Sequence, residues 1–515
     1  MDRTGRCVNF GNCTLANQKQ TIVMPSGLEL KCPECGRTLV EITAQRSSSA
    51  GPTVVFAVAL ALLAAAGWFL WNSTHRSGSG GVDRTDSAPT SVPASSPGAG
   101  APMLRLHGSN TIGEQLGPEL AAAFLKSQGA QDVKILRDSP ELIRVTGDGG
   151  SKLISIEARG SSTAFADLAA GKCDIGMASR PVKPGESTAT TGDLTLPSAE
   201  HVLGLDGVAV IVNQNNPVEA LSREQLSKIF AGVTTDWAQV GGKAGPIAIY
   251  ARDAKSGTFD TFRTLVLGAR DLAAGAQRFE DSALLADKVA GDPGGIGFVG
   301  LPYVRSAKAV AVSDKGSRAL APNRLTIATE DYLLARRLFL YDNANNTSQN
   351  VNWFIEFAIG KDGQDVVEKA GFVSQSVRAA APVAVVAPAA DSPDPYKKII
   401  ANAERLTLDY RFKAGASALD NKAVVDLGRL VDFLSALHYT GADLYLLGFA
   451  DATGDPAVNL RLSKERAQAV AEQIERRGVK PGVITGFGDA MPVADNATDD
   501  GRQKNRRVEV WVKKR

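Results

Sequence analysis

Residues 247–262 read IAIYARDAKSGTFDTF, and their pattern predicts a strand, a polar turn and a helix. The first five residues form a short apolar run with β-branched and aromatic side chains, which is typical of a buried strand. From Phe259 onward, apolar residues recur at helical spacing. Ser256, Gly257 and Thr258 therefore stand at a helix N-terminus, where unpaired backbone N–H groups lie beside two hydroxyls.

Arg252 at the end of the predicted strand adds a permanently charged fork of donors. With the turn, it forms a candidate receptor for a tetrahedral oxyanion. These residues alone leave a second interpretation open, in which Ser256 merely caps the helix and Arg252 lies at the surface.

Similar junctions recur in residues 103–378, where short apolar strands alternate with helical patterns. This alternation predicts an α/β domain with a largely parallel sheet. Ligands bind at the carboxyl ends of strands in such sheets, so we expect the junctions to share one site. The polar residues at these junctions are Ser109, Asn110 and Thr111, then Gly160, Ser161, Ser162 and Thr163, then Ser179 and Arg180.

Length and charge restrict the function classes. The 515 residues exceed what one core supports, and they include 57 Lys and Arg against 55 Asp and Glu. The net charge of +2 argues against nucleic acid as a partner. We find no G-x-S-x-G or Walker lysine motif, and none of the four histidines has a nucleophile or metal-ligand spacing, so we expect no enzyme.

Residues 1–46 contain four of the five cysteines, the other being Cys173. Cys32 and Cys35 have the C-x-x-C spacing of a zinc knuckle, and Cys7 and Cys13 would complete a tetrahedral structural zinc site. The segment resembles a zinc ribbon. Two disulfides or free thiols are the alternatives, and zinc is favoured if this end is cytosolic.

Residues 52–71 carry no charge and are long enough to span a bilayer. Basic residues predominate before the span, which predicts a cytoplasmic N-terminus and an exported remainder. Residues 72–102 are rich in Ser, Gly, Pro and Thr and predict a flexible linker, while the Ala/Pro-rich residues 379–395 predict a stiffer one.

Several motifs in residues 103–378 follow the order seen in periplasmic phosphate-binding proteins of ABC transporters, which this region resembles. They are GSNTI at 108–112, IGMASRP at 175–181, IFAGVTTDW at 229–237, ARDAKSGTF at 251–259 and GGIGFVGLPYV at 294–304. The resemblance implies a two-lobed type II periplasmic-binding fold that closes on dehydrated phosphate, with an ABC permease as a possible partner. The site residues that it implies are Ser109, Thr111, Ile112, Ser161, Ser162, Ser179, Arg180, Arg252, Ser256, Gly257 and Thr258.

One position departs from the best-known members of that family. They carry an aspartate where this chain has Ser179, and that carboxylate accepts the proton of hydrogenphosphate and so excludes sulfate. Here Ser179 is followed by Arg180, as in other branches. The choice between phosphate and a related oxyanion stays open, with Asp253 as either a substitute acceptor or an ion-pair partner of Arg252.

Residues 396–515 predict a separate α/β domain. Asp451 follows a predicted strand, and Arg466 lies on a predicted helix that we expect Ser463 to cap. A carboxylate and a guanidinium can grip the two ends of a zwitterion, although an ordinary ion pair is the alternative.

The stretches at 448–470 and 486–512 resemble OmpA-like peptidoglycan-binding domains. The resemblance implies an OmpA-like α/β sandwich in which Asp451 and Arg466 hold the amine and carboxylate of diaminopimelate in the stem peptide. Asn459 and Arg506 match further pocket or scaffold positions.

Together these features predict a single-pass protein of the bacterial inner membrane, with most of the chain in the periplasm. It would bind phosphate or a similar oxyanion and peptidoglycan, and act in phosphate uptake or sensing. The alternatives are a structural tether from membrane to wall that has lost ligand binding, and, with less support, a phosphoester hydrolase.

Overall fold

The structure is a computed structural model. It describes residues 3–6, 21–24, 31–33, 40–41, 101–254, 256–380, 392–412, 418–436, 439 and 441–514. The chain divides into two compact units, residues 1–98 and 99–515.

The first unit contains a three-stranded antiparallel sheet of order β2-β1-β3. Its strands are β1 (Arg3–Arg6), β2 (Thr21–Met24) and β3 (Val40–Glu41). Cys32 is buried, while the other predicted zinc ligands, Cys7, Cys13 and Cys35, lie outside the described residues. The predicted span at 52–71 also lies outside them, and no helix in the described ranges is long and apolar enough to cross a bilayer.

The second unit begins with the predicted α/β region, which contains thirteen strands and nine α-helices in its described residues. The strands are β4 (Leu104–Gly108), β5 (Lys134–Arg137), β6 (Leu142–Gly147), β7 (Lys152–Ala158), β8 (Ile175–Ala178), β9 (Glu200–Val212), β10 (Ala220–Ser222), β11 (Ala248–Arg252), β12 (Gln277–Phe279), β13 (Gly295–Gly300), β14 (Lys308–Ala309), β15 (Ala311–Ser313) and β16 (Ala335–Tyr341). The helices are α1 (Asn110–Gly113), α2 (Leu116–Ser127), α3 (Ser161–Ala169), α4 (Arg223–Phe230), α5 (Gly257–Phe262), α6 (Ser282–Gly291), α7 (Arg324–Ala328), α8 (Gln349–Ile359) and α9 (Lys361–Lys369).

Eleven of these strands form one continuous sheet that passes through two hydrophobic cores. Its order is β12-β11-β13-β9-β16-β8-β4-β7-β6-β5, with β14 also paired to β9. The first core packs α2, α8 and α9 against β4, β6 and β7, and the second packs α4 and α5 against β13 and β9. We call these halves lobe 1 and lobe 2. The multidomain α/β fold is confirmed, but the prediction of a largely parallel sheet is wrong. Strand β4 pairs in parallel with β7 and β8, and β11 with β12 and β13, whereas the other six pairings of this sheet are antiparallel.

The antiparallel pair β9 and β16 joins the lobes. Strand β9 is thirteen residues long and pairs with β16 along its first half and with β13 along its second. It is almost wholly buried, as expected for a strand that is covered on both faces. Asp206 and Arg336 are directly opposite each other on this pair, at the passage between the lobes.

The C-terminal region of the second unit has a four-stranded sheet of order β17-β20-β18-β19. Its core packs the two long helices α11 and α12 against strands β17, β18 and β20. The strands are β17 (Glu404–Arg411), β18 (Asp443–Gly448), β19 (Val483–Gly486) and β20 (Arg507–Lys513). The helices are α10 (Asp394–Ile400), α11 (Asn421–Leu434), α12 (Pro456–Glu475) and α13 (Asp499–Asn505).

Two local predictions in this region are wrong. Helix α12 begins earlier than expected, and Asp455 caps it by accepting from the N–H of Ala457 at 2.8 Å. Ser463 is instead fully buried inside the helix, where it accepts from the N–H of Gly488 at 2.9 Å. The start of the predicted stiff linker is also structured, because Ala379 pairs with Leu406 of β17.

Polar contacts join this C-terminal region to both lobes. The Arg411 guanidinium donates to the Asp331 carboxylate of lobe 2 at 3.0 Å, and both side chains are buried. On lobe 1, Glu200 accepts from the amide of Asn421 at 3.0 Å. The C-terminal region is therefore fixed to both halves of the sheet.

Candidate functional site: an oxyanion cleft and a C-terminal pocket

The three predicted junctions meet in a cleft between the lobes, around Gly257. A methyl group placed on Gly257 would lie 2.9 Å from Ser179 Oγ, 3.3 Å from Thr111 Oγ1 and 3.9 Å from Ser109 Oγ. These hydroxyls belong to two strand ends of lobe 1, Ser109 and Thr111 after β4 and Ser179 after β8, whereas Gly257 begins α5 in lobe 2. The cleft lining comprises Asn110, Thr111, Glu114, Asp206, Arg252, Ser256, Thr258, Ser282, Gly300, Tyr303 and Phe372.

The lobe 1 hydroxyls are buried and only partly satisfied. Ser109 is fully buried, and its hydroxyl has no hydrogen-bond partner within the described part of the chain. Ser161 Oγ accepts from the Ser179 N–H at 3.0 Å and lies 3.2 Å from Ser179 Oγ. A buried polar atom without a partner is costly, so Ser109 is well suited to bind a polar ligand.

The lobe 2 side is the strand–turn–helix unit of residues 247–262. Ser256 caps α5, accepting from the N–H groups of Thr258 at 3.2 Å and Phe259 at 3.5 Å. Phe262 stacks on Phe298 of β13 with ring centroids 4.0 Å apart, which fixes the helix against the sheet. The cap interpretation and the oxyanion interpretation are therefore compatible, because the capping hydroxyl still has its own proton to donate.

Arg252 is buried and held within lobe 2. Its guanidinium donates to the carbonyl of Glu280 at 2.7 Å, to the carbonyl of Phe279 at 3.3 Å and to the Ser282 hydroxyl. Burial lowers the pKa of the Arg252 guanidinium, and the nearby Glu114 carboxylate opposes that shift. Arg252 thus contributes a fixed positive charge to the cleft.

Arg336 and Asp206 are at the site and were missed from the sequence. Arg336 donates to Asp206 Oδ2 from two nitrogens, at 2.7 and 3.0 Å, and both residues are buried. The same guanidinium reaches Thr111 Oγ1 of lobe 1 at 3.2 Å and Thr258 Oγ1 of lobe 2 at 3.2 Å. The sequence signal was one charged residue inside each of two apolar strands. Only the register of β9 and β16 shows that these two residues face each other.

Three predicted residues have other surroundings. Arg180 forms a two-point ion pair with Glu186, with nitrogen–oxygen distances of 2.7 and 2.9 Å, and lies over the ring of Phe165. Ser162 is exposed and accepts from Arg180. The side chain of Ile112 belongs to the lobe 1 core, so only its backbone N–H could act as the predicted donor.

A second cluster of charged side chains, called here the C-terminal cluster, lies around Asp451. Arg506 donates to the Asp451 carboxylate at 2.9 Å, and the Thr453 N–H donates to it at 2.9 Å. Burial opposes ionisation, but these hydrogen bonds prevail and hold the pKa of Asp451 below its usual range. Arg466 lies over the ring of Phe412, with its guanidinium carbon 5.7 Å from the ring centre.

Two buried donors of the C-terminal region lack a partner among the described residues. They are the Asn459 side-chain amide and the Nε atom of Arg506. Burial lowers the pKa of the Arg466 guanidinium, as does the neighbouring Arg506, while Asp451 acts in the opposite direction. The C-terminal cluster therefore combines an ionised carboxylate already paired with Arg506 and a second cation, Arg466.

Comparison with known proteins identifies both regions. A model described as a PBP superfamily domain matches residues 128–362. Protein SphX of Synechococcus elongatus is 30% identical over 238 residues, which cover 44% of this chain and 70% of SphX. The phosphate-binding protein PstS of Staphylococcus aureus (strain USA300) is 31% identical over 236 residues, covering 44% of this chain and 71% of PstS. The chain belongs to the PBP superfamily.

The C-terminal region matches the OmpA family model over residues 411–506. Both matched ranges fall within the predicted domains, and the resemblances to a phosphate-binding protein and to an OmpA-like domain are confirmed at the level of the family. The PBP region is also similar to the structure of an ABC-type phosphate transport receptor from Vibrio cholerae, at 25% identity and a TM-score of 0.43, covering 52% of this chain and 99% of that one.

Proposed function

We propose that the chain is a membrane-tethered, non-enzymatic binding protein for phosphate or a similar tetrahedral oxyanion, and that it also binds peptidoglycan. The observation that carries the first part is the meeting of Ser179, Thr111 and Ser109 at Gly257, beside Arg252. Several hydroxyls and one fixed guanidinium can donate hydrogen bonds to the oxygens of a tetrahedral anion, which act as acceptors. The names of the relatives, among them phosphate-binding proteins, support the same ligand.

Titration calorimetry of the full-length chain with phosphate, sulfate and molybdate tests this part. Saturable one-to-one binding of at least one anion is expected, with loss in Ser179→Ala because that hydroxyl faces the N-terminus of α5. Arg305→Ala serves as the control, since its pair with Asp287 lies on the exposed surface. Absence of binding by every anion would leave the alternative of a structural tether.

For the OmpA domain we propose that Asp451 and Arg466 grip the zwitterionic end of diaminopimelate in the peptidoglycan stem peptide. The unpartnered donors of Asn459 and Arg506 would add hydrogen bonds to its carboxylate. We expect Asp451→Ala and Arg466→Ala each to abolish sedimentation with purified peptidoglycan. The control is Arg461→Ala on the same helix, an exposed arginine paired with Glu465. Sedimentation of both test variants at the parent level would refute the clamp.

We also propose that residues 1–46 hold one structural zinc through Cys7, Cys13, Cys32 and Cys35, and that residues 52–71 cross the inner membrane with the N-terminus in the cytoplasm. The spacing of the cysteines and the charge-free run support this topology. Metal analysis should find one zinc per chain, lost in Cys32→Ser. A purified, folded chain without zinc would contradict the metal site. An ABC permease is the partner that an uptake role would require.

A further inference from the structure

Selectivity in the cleft depends on which groups can only accept hydrogen bonds. Hydrogenphosphate and sulfate have the same shape and similar charge, but hydrogenphosphate carries an O–H that needs an acceptor. Hydroxyls can donate or accept, and guanidinium groups only donate. An ionised carboxylate accepts only, so its position decides whether a protonated oxyanion is preferred.

Two carboxylates line the cleft among the described residues, Glu114 and Asp206. Both oxygens of the Asp206 carboxylate already accept hydrogen bonds from the protein. Its Oδ2 accepts both contacts from Arg336, and its Oδ1 accepts from the Gly207 N–H at 2.8 Å. Asp206 therefore neutralises Arg336 and fixes the strand pair, which leaves Glu114 as the carboxylate that can serve a ligand.

Glu114 is positioned on the same turn as the lobe 1 donors. It directly follows α1, and its N–H donates to the Asn110 carbonyl at 3.0 Å, so it is held on the segment that carries Thr111. Arg252 and Tyr303, across the cleft in lobe 2, are close enough to influence its charge. Its side chain thus faces the same space as the fixed cation.

We propose that Glu114 accepts the proton of the bound oxyanion and makes the cleft selective for hydrogenphosphate over sulfate. This inference rests on the proposed oxyanion-binding function and identifies the ligand class within it. Burial raises the pKa of Glu114; Asp253 and Glu280 reinforce the shift, while Arg252 and a hydrogen bond with the Asn110 side chain oppose it. A carboxylate in that condition is a strong acceptor and shares a proton readily with a neighbouring O–H.

The test compares anions that differ in their proton. Affinities of the full-length chain for phosphate, arsenate, sulfate and molybdate are measured by calorimetry near neutral pH, where phosphate and arsenate carry a proton and the other two do not. The parent chain should bind phosphate and arsenate more tightly than sulfate and molybdate. In Glu114→Gln, whose amide can donate to sulfate, the ratio of phosphate to sulfate affinity should fall by about 10- to 100-fold, the value of one charged hydrogen bond.

Two further variants make the result decisive. Glu114→Asp keeps a carboxylate and should retain the preference for phosphate even if overall affinity falls. Glu141→Gln makes the same chemical change on the surface of lobe 1, beside Arg159, and should change neither affinity nor ratio. A parent that prefers phosphate while Glu114→Gln keeps the same ratio would overturn the role of Glu114 alone. A parent that binds sulfate as tightly as phosphate would overturn the selectivity, and no binding at all would overturn the proposed function with it.

Discussion

Gly257→Ala offers a stringent test of the cleft. Its added methyl would lie 2.9 Å from Ser179 Oγ, closer than real Cβ atoms come to other heavy atoms. Ser179 cannot easily move away, because its N–H and its hydroxyl both contact Ser161. The lobes must therefore separate by a few tenths of an ångström, at the point where the anion is expected to bind.

The magnitude follows from that crowding. Adding one methyl to a close-packed contact typically costs about 1–3 kcal/mol, and about 1.4 kcal/mol corresponds to a tenfold change in affinity. We expect phosphate affinity to fall by about 5- to 150-fold. The backbone of Gly257 is helical, so alanine introduces no conformational strain of its own.

The assay is calorimetric titration of phosphate into the full-length parent and variant, with urea unfolding in the absence of anion as a measure of folding. Gly275→Ala is the matched control, since it makes the same change in lobe 2 where no heavy atom lies within 4 Å. Without anion, the free energy of unfolding should fall by no more than the same crowding cost of about 1–3 kcal/mol in Gly257→Ala, and should change by less than about 1 kcal/mol in Gly275→Ala. Phosphate affinity within twofold of the parent in Gly257→Ala would refute the placement of the site.

Three other predictions concern buried groups. Arg336→Ala leaves Asp206 buried without its ion pair, so it should lower the free energy of unfolding in urea titrations by about 3–5 kcal/mol. The control Arg305→Ala, which removes an exposed ion pair, should lower it by less than about 1 kcal/mol. Equal losses in the two variants would contradict the role of the buried pair. Burial raises the pKa of the Cys173 thiol to about 12, so little reactive thiolate is present at pH 8. Mass spectrometry should find Cys173 unmodified by iodoacetamide in the native chain and modified in urea. Rapid labelling of the native chain would show that the thiol is exposed. Burial disfavours the charge of Glu509, but Arg405 and Arg507 outweigh it and lower its pKa from 4.5 to about 2. The stabilisation is therefore full above pH 4.5 and is lost as the pH falls towards 2. The difference in unfolding free energy between the parent and Glu509→Gln should shrink over that range, and a difference independent of pH would count against the ion pair.

Local sequence signals predicted the individual elements of the site well. The strand at 247–251 is observed as Ala248–Arg252, and the helix after the polar turn begins at Gly257. These segments are predictable because period and capping residues act over a few positions. Ser463 shows where that logic ends: its hydroxyl could cap a helix in isolation, but the packing of Gly488 against α12 places it inside the helix instead.

By itself, the sequence determined the order of the PBP and OmpA regions, the strand–turn–helix unit around Arg252 and the hydroxyls that follow three strands. Each of these depends on neighbouring residues and on alternating apolar patterns. Only the tertiary structure decided which charges share the cleft. Arg336 and Asp206 are 130 residues apart and meet through the register of β9 and β16. Arg180 turns to Glu186, whereas Glu114 lines the cleft. These contacts depend on how strands that are distant in sequence pack together, because that packing decides which opposite charge lies within reach of a long side chain.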